Sequence, residues 1–144
     1  MKISAEYIAD IFVNLSRMQK EEDKVEYLKS VKTPALRKLL EFAYDDRYTT
    51  SYNQIPKYTP DDSPVGLSIS GLHREWTRIP YFLNTSQYIN NDAIRNRKLA
   101  NILEMIHSVE SSVLEAVILK KELPNLSKDL ALKVFPDLIK EIKA

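Results

Sequence analysis

Histidines and paired acidic residues are the side chains in this sequence best suited to catalysis or metal binding. His73 and His107 stand alone on separate predicted helices, whereas a structural metal needs about four ligands that come together. The acidic pairs Asp45-Asp46 and Asp61-Asp62 occupy adjacent positions, whose side chains point apart more often than they converge on one substrate atom. We therefore expect boundary histidines and solvated turn carboxylates, with no metal site and no catalytic acid.

Sequence motifs for nucleophilic catalysis and for nucleotide binding are absent from the chain. The chain has no cysteine, which excludes disulfides, thiolate metal sites and cysteine nucleophiles and suits a reducing compartment. The sequence also lacks the motifs G-x-S-x-G, S-x-x-K, G-x-x-x-x-G-K-[ST] and K-x-D-G, which serve acyl transfer, phosphate binding and adenylation. We predict that the protein is not an enzyme and takes no cofactor and no small-molecule substrate.

Clustered cations are the first candidates for a binding role. The six candidate DNA-binding residues are Lys57, Arg95, Arg97, Lys98, Lys120 and Lys121. Arg95, Arg97 and Lys98 are expected at outer or edge positions of one predicted helix, and the two later lysines on another. If these helices are neighbours, the residues would contact the phosphates of duplex DNA. The same residues also suit a solvated helix face, because the net charge of the chain is only +1.

Three tyrosines in one segment are the other candidates. Tyr48, Tyr52 and Tyr58 lie in a stretch that also contains several prolines. Aromatic rings beside cations hold the bases of single strands, and an aromatic loop also serves as an interaction surface for a protein. The alternative is that the rings pack against the helices with their hydroxyl groups hydrogen-bonded.

The length of the chain and the distribution of its apolar residues indicate the class of protein to which it belongs. The 144 residues are enough for one domain with a workable core, so we expect a single helical domain over residues 1–144. No apolar run approaches the roughly 20 residues that span a bilayer, and the amino terminus lacks an apolar signal core. We expect a soluble, unprocessed, cytoplasmic protein without a membrane partner.

The pattern of apolar residues predicts an all-α fold, a compact bundle of about six to seven helices. Only two glycines are present, which disfavours tight hairpins and phosphate-cradling loops. Apolar residues recur at helical spacing over residues 4–17, 19–30, 33–44, 70–83, 91–109, 113–123 and 127–134. Pro80 should break or kink the fourth of these segments, and Trp76 should lie in the core. Residues 45–70 are predicted to form one long Tyr/Pro-rich loop with at most a token strand.

Several idiosyncratic segments resemble a family of small proteins. The resemblance rests on residues 33–44, 58–60, 63–70, 97–99, 103–107 and 134–139. The resemblance covers roughly residues 25–140. The family is uncharacterised and is encoded by T-even-like and marine tailed phages. The resemblance implies a phage protein that acts in the cytoplasm of an infected bacterial host.

A second similarity concerns the order of four short segments. They are Ala43-Tyr44, Ile55-Pro56-Lys57, Arg97-Lys98-Leu99 and residues 133–139. This order resembles the amino-terminal helical domain of T-even-type phage DNA ligases, which binds duplex DNA ahead of the adenylation domain. The resemblance implies at most the binding half of such an enzyme, because this chain has no adenylation motif. It also has Glu115-Ala116-Val117 where the ligase pattern carries arginines.

These observations lead to two expected functions. The first is a phage accessory module without catalytic activity that resembles the ligase domain and binds duplex DNA weakly and non-specifically. The second is a protein-protein adaptor or inhibitor that acts on a host or phage factor. The sequence does not decide whether the partner is duplex DNA or a protein.

Overall fold

Amphipathic segments with capping residues at their starts form most of the structure. A computed structural model describes residues 8–31, 33–45, 48–49, 52, 54–64, 67–83 and 92–138. In these residues the helices are α1 (Ile8–Ser16), α2 (Glu21–Ser30), α3 (Pro34–Tyr44), α4 (Leu72–Glu75), a 3₁₀ segment (Trp76–Phe82), α5 (Asp92–Met105), α6 (Ser108–Ile118) and α7 (Lys128–Val134). The all-α prediction is confirmed, since the described residues contain no named strand.

The cap predicted at Thr33 begins the central helix. The Thr33 Oγ1 accepts a hydrogen bond from the Leu36 N–H at 3.2 Å, and Pro34 occupies the first turn, where its missing N–H costs nothing. One face of α3 then buries Leu36, Leu39 and Leu40 completely. This helix packs against α4, the 3₁₀ segment and α6, so it lies at the centre of the core.

The remaining helices pack around α3 in pairs. Helix α1 lies against α6, α2 against α7, and α5 against both α6 and the 3₁₀ segment. Ser127 caps α7 as predicted, with its Oγ accepting from the Leu130 N–H at 3.2 Å. At the carboxyl end Leu138 is buried, again as predicted, whereas Ser4, Ile139 and Ile142 lie outside the described residues.

The long connection between α3 and α4 packs down onto the helices. Its described part contains no strand, and its one isolated bridge pairs Asp61 with His107. The Ser70 N–H donates to the Met105 carbonyl at 2.8 Å, which fixes the end of the loop beside α5. The prediction of a long loop with at most token strand character is therefore confirmed for its described residues.

Three predicted elements differ from the observed ones. The segment expected over residues 91–109 stops at Met105, because the His107 Nδ1 accepts from the Val109 N–H at 3.1 Å and starts a new helix. The predicted helix 113–123 is the carboxyl part of this new helix, which ends at Ile118, just before Lys120 adopts a φ of 56°. Trp76 is half-buried at the edge of the core, because the helix tightens into 3₁₀ geometry before Pro80.

Candidate functional site

Arg95 is an internal residue of the fold, contrary to the prediction that it occupies an outer position. Its side chain is 2% exposed, and its guanidinium carbon lies 5.0 Å from the centre of the Tyr52 ring. Its Nε donates to the Tyr81 carbonyl at 3.3 Å. A planar guanidinium can stack on a ring while donating in its own plane. Arg95 therefore joins the long loop to the 3₁₀ segment, while its neighbour Ile94 is 39% exposed.

Lys120 is also used within the fold. Its ammonium group donates to the Phe42 carbonyl at 2.7 Å and to the Asp45 carbonyl at 3.0 Å. These are carbonyl groups at the carboxyl end of α3, where a cation also compensates the helix dipole. The structure thus assigns Lys120 to capping α3, and it leaves Lys120 poorly placed to contact a phosphate.

The other four candidate cations are exposed. Arg97 and Lys98 lie on α5, Lys57 in the long loop and Lys121 beyond the end of α6. The Lys98 ammonium lies 5.3 Å from the centre of the Tyr81 ring. The six candidates therefore do not form one exposed cluster, because Arg95 is buried and Lys120 is half-buried against the end of α3.

The loop tyrosines pack against the helices. The Tyr48 ring meets Phe42 edge-on at a centroid distance of 5.0 Å, and Tyr52 lies beneath Arg95. The Tyr58 hydroxyl donates to the Glu115 carboxylate, and burial, followed by this carboxylate, raises the pKa of Tyr58. The three rings are half-buried against the helices, so they hold the loop in place.

An open groove lies between α5 and the 3₁₀ segment. Its volume is about 640 Å³. The lining residues are Ile69, Arg78, Tyr81, Phe82, Lys98, Asn101, Ile102, Glu104 and Met105. Phe82 and Ile102 form a buried floor, while Ile69 is 80% exposed and Tyr81 is 38% exposed. Ile69 and Tyr81 are therefore apolar side chains of the groove that meet solvent.

Two charged side chains that line the groove, Glu104 and Arg78, have partners within the fold. The Glu104 Oε2 accepts from the Thr59 backbone N–H at 2.8 Å, which ties the long loop to α5. The Arg78 Nη1 lies 3.4 Å from the Glu75 Oε1, and 59% of the Arg78 side chain is exposed. The Glu75 side chain is only 10% exposed, so the Arg78 guanidinium is the charge that compensates this largely buried carboxylate.

A buried carboxylate that the sequence analysis did not identify supports this part of the fold. Glu110 is 1% exposed, and it accepts from the N–H groups of Ala9 and Leu72, both at 2.8 Å. These N–H groups belong to the first turns of α1 and α4. Burial raises the pKa of Glu110, while the two backbone hydrogen bonds and the nearby His73 and His107 oppose the rise.

Gly71 lets α4 approach this carboxylate closely. A Cβ atom at this position would lie 2.6 Å from the His73 Nδ1 and 3.3 Å from the Glu110 Oε1. Any larger residue would push His73 away or displace the start of α4. Because the 3₁₀ segment follows α4 directly, Gly71 and Glu110 together set the position of one wall of the groove.

No group of three or more histidine, aspartate or glutamate side chains in the described residues is arranged to hold a metal ion. None of the described helices combines the length and the apolar character needed to cross a membrane. Comparison of the chain with protein-family models, curated proteins and solved structures finds no match.

The internal role of Arg95 gives a stability prediction with a matched control. Arg95→Ala should lower the free energy of unfolding by about 1–3 kcal/mol, because it removes the stacking on Tyr52 and the hydrogen bond to Tyr81. Arg97→Ala, on the exposed side of the same helix, should change it by less than about 0.5 kcal/mol. Urea denaturation of both variants measures the difference. Equal losses in the two variants would show that Arg95 is not the packed residue.

Proposed function

We propose that the protein is a non-catalytic binding module that takes a segment of a protein partner into the groove beside α5. The observation that carries this proposal is the exposure of Ile69 and Tyr81 at a concave surface with an apolar floor. Contiguous exposed apolar side chains beside a polar rim are typical of protein interaction sites. The phage resemblance adds the proposal that the module is an accessory protein acting on a host or phage factor.

The distribution of charge favours a protein partner over duplex DNA. The net charge is +1, and Arg95 and Lys120 are occupied inside the fold. Non-specific DNA binding depends on the number of phosphates that cations neutralise. Exposed residues such as Ile69 add nothing to phosphate contact, whereas they suit a partner with its own apolar side chains.

Capture of partners from infected cells tests the proposal. A tagged wild-type chain is compared with Ile69→Asp, which places a charge on the groove, and with Lys121→Glu, which changes an exposed residue outside it. We expect nuclease-resistant recovery of a specific protein by the wild type and by Lys121→Glu, and its loss with Ile69→Asp. Recovery that is nuclease-sensitive, or equal for all three chains, would contradict a protein-binding groove.

Fluorescence anisotropy with a labelled duplex tests the DNA alternative directly. We expect no binding at about 50 mM salt, a concentration at which weak phosphate contacts are still measurable. If the four exposed cations all touched phosphates, log affinity would instead fall with log salt with a slope of about −3 to −4. Binding with such a slope that weakens in the double variant Arg97→Ala/Lys98→Ala would favour the ligase-like DNA function.

A further inference from the structure

The turn between α5 and α6 holds the long loop at two points. The backbone of His107 pairs with that of Asp61 in an isolated bridge. The Met105 carbonyl accepts from the Ser70 N–H at 2.8 Å. Ile69, whose side chain lines the groove, directly precedes Ser70. A rearrangement of this turn would therefore displace the loop next to Ile69.

The side chain of His107 stabilises the turn in only one protonation state. Its Nδ1 accepts a hydrogen bond from the Val109 N–H at 3.1 Å and so caps α6. A neutral imidazole has one donor nitrogen and one acceptor nitrogen, whereas both nitrogens of the cation are donors. The cap therefore requires the neutral tautomer that carries its proton on Nε2. Protonation of Nδ1 removes the acceptor, and it also places a positive charge at the amino end of α6, which the helix dipole disfavours.

The charged groups near this imidazole lie on several elements. Asp61 of the loop and Glu110 of α6 each have an electrostatic interaction with His107, and His73 of α4 interacts with the same Glu110 carboxylate. On α5, Glu104 lies three residues before His107 and accepts from a loop N–H at 2.8 Å. Both Glu110 oxygens already accept backbone N–H groups. Asp61 is therefore the acid that remains for a new bond to a protonated His107.

We infer that His107 is a pH-sensitive cap that couples the start of α6 to the loop beside the groove. With Nδ1 unprotonated, His107 caps α6 and the turn holds the loop in place. When acid protonates Nδ1, the Val109 N–H loses its acceptor, the new Nδ1–H donates to the Asp61 carboxylate, and the loop next to Ile69 shifts. Histidine is the side chain whose ordinary change of charge falls between pH 5 and 8. Only the effect of this change on partner binding rests on the proposed function.

Nuclear magnetic resonance of the full chain, labelled with ¹⁵N and at the isoleucine methyl groups with ¹³C, tests the inference. The imidazole nitrogen shifts identify the tautomer, and in neutral His107 we expect the proton on Nε2. As the pH falls from about 8 to about 5, the Ile69 methyl signal should move together with the protonation of His107. Protection of the Val109 amide against exchange, corrected for its intrinsic rate, should fall about three- to tenfold, as expected for the loss of a helix cap. A neutral His107 with its proton on Nδ1, or a Val109 amide protected equally throughout, would overturn the inference.

Two variants identify the group that titrates. His107→Asn is the matched control, because asparagine is a favoured capping residue and does not titrate. Its Val109 amide should stay protected and its Ile69 methyl signal should stay constant over the same pH range. Glu110→Gln removes the carboxyl group whose pKa burial raises, and it should retain the fall in protection. A response that persists in His107→Asn, or that disappears in Glu110→Gln, would assign the titration to Glu110 and contradict a cap at His107.

The variant Ile69→Asp separates this inference from the proposed function. The Val109 amide should respond to pH in this variant as in the wild type, because the cap does not depend on the groove. Failure of the wild type to capture a protein partner, with the Val109 response intact, would contradict the proposed function and support the cap. Capture that Ile69→Asp abolishes, with a Val109 amide that ignores pH, would overturn the cap and support the groove.

Discussion

Glu110→Ala should lower the free energy of unfolding by about 3–5 kcal/mol. The variant leaves the buried N–H groups of Ala9 and Leu72 without their acceptor, at about 1–3 kcal/mol for each unsatisfied group. Loss of the buried methylene groups adds to this cost. Because α1 and α4 both begin at this carboxylate, we expect a lower midpoint in urea together with increased exchange of amide hydrogens in both helices.

The control variant Glu110→Gln separates the effect of removing the charge of this side chain from the effect of removing the side chain itself. Burial raises the pKa of Glu110, which means that the fold accommodates the neutral carboxyl better than the charged one. Glutamine has nearly the shape of that neutral form, and it can accept one of the two N–H groups. The other N–H loses its acceptor, so we expect the free energy of unfolding at pH 7 to fall by about 1–3 kcal/mol, less than in the alanine variant. A loss as large as that of the alanine variant would mean that the negative charge itself holds the helices.

The same pair of proteins tests the pH dependence. A carboxyl group with a raised folded pKa binds more protons in the folded state, so stability falls with increasing pH across its titration. The contribution of Glu110 is fully present below its ordinary pKa of 4.5 and is lost as pH rises through the raised value. The advantage of the wild type over Glu110→Gln should therefore be greatest in acid and shrink toward neutral pH.

The measurement uses the stability difference between the wild type and Glu110→Gln, because other carboxyl groups contribute to stability with the opposite pH dependence. Hydrogen bonds from Ser68 and Ser63 lower the pKa of Asp61, so its contribution is present above its ordinary pKa and is lost on acidification. That loss is common to the wild type and to Glu110→Gln, and it cancels in the difference. A difference that grows toward neutral pH would show that the folded pKa of Glu110 is lowered instead.

Local signals in the sequence were enough to predict the helices but not all of their ends. Thr33 and Ser127 are standard capping residues, and both cap as expected. The break after Met105 was missed because histidine is not among the usual capping residues, although the bond that its Nδ1 accepts from the Val109 N–H is local. Lys120, by contrast, caps α3 from a distant part of the chain, which no local pattern reveals.

The site was harder to predict than the fold, because it depends on which side chains the loop covers. Helical periodicity predicts an outer or edge position for Arg95. In the structure, however, it is buried against the Tyr52 ring and the Tyr81 carbonyl. Glu110 carried a signal that was overlooked, since it continues the buried stripe of Val113, Leu114 and Val117 at helical spacing. A charged residue in such a register must find buried donors, and it finds them at two helix ends.

Leu40→Ala should destabilise the protein by about 2–5 kcal/mol, the range for deleting a fully buried leucine side chain. Leu40 is 0% exposed and lies in the buried face of α3, which packs against α4, α6 and the 3₁₀ segment. The surrounding helices are fixed by their caps and by Glu110, so they can close only part of the cavity. The value should lie in the upper half of that range.

Ile69→Ala is the matched control, because it also deletes an aliphatic side chain but from a position that is 80% exposed. We expect it to change the free energy of unfolding by less than about 0.5 kcal/mol while it weakens binding at the groove. Urea denaturation of the two variants, with equal slopes against denaturant, measures both values. A change below about 0.5 kcal/mol for Leu40→Ala would mean that α3 does not form the centre of the core. A large loss for Ile69→Ala would mean that this side chain packs onto the fold and is not held open for a partner.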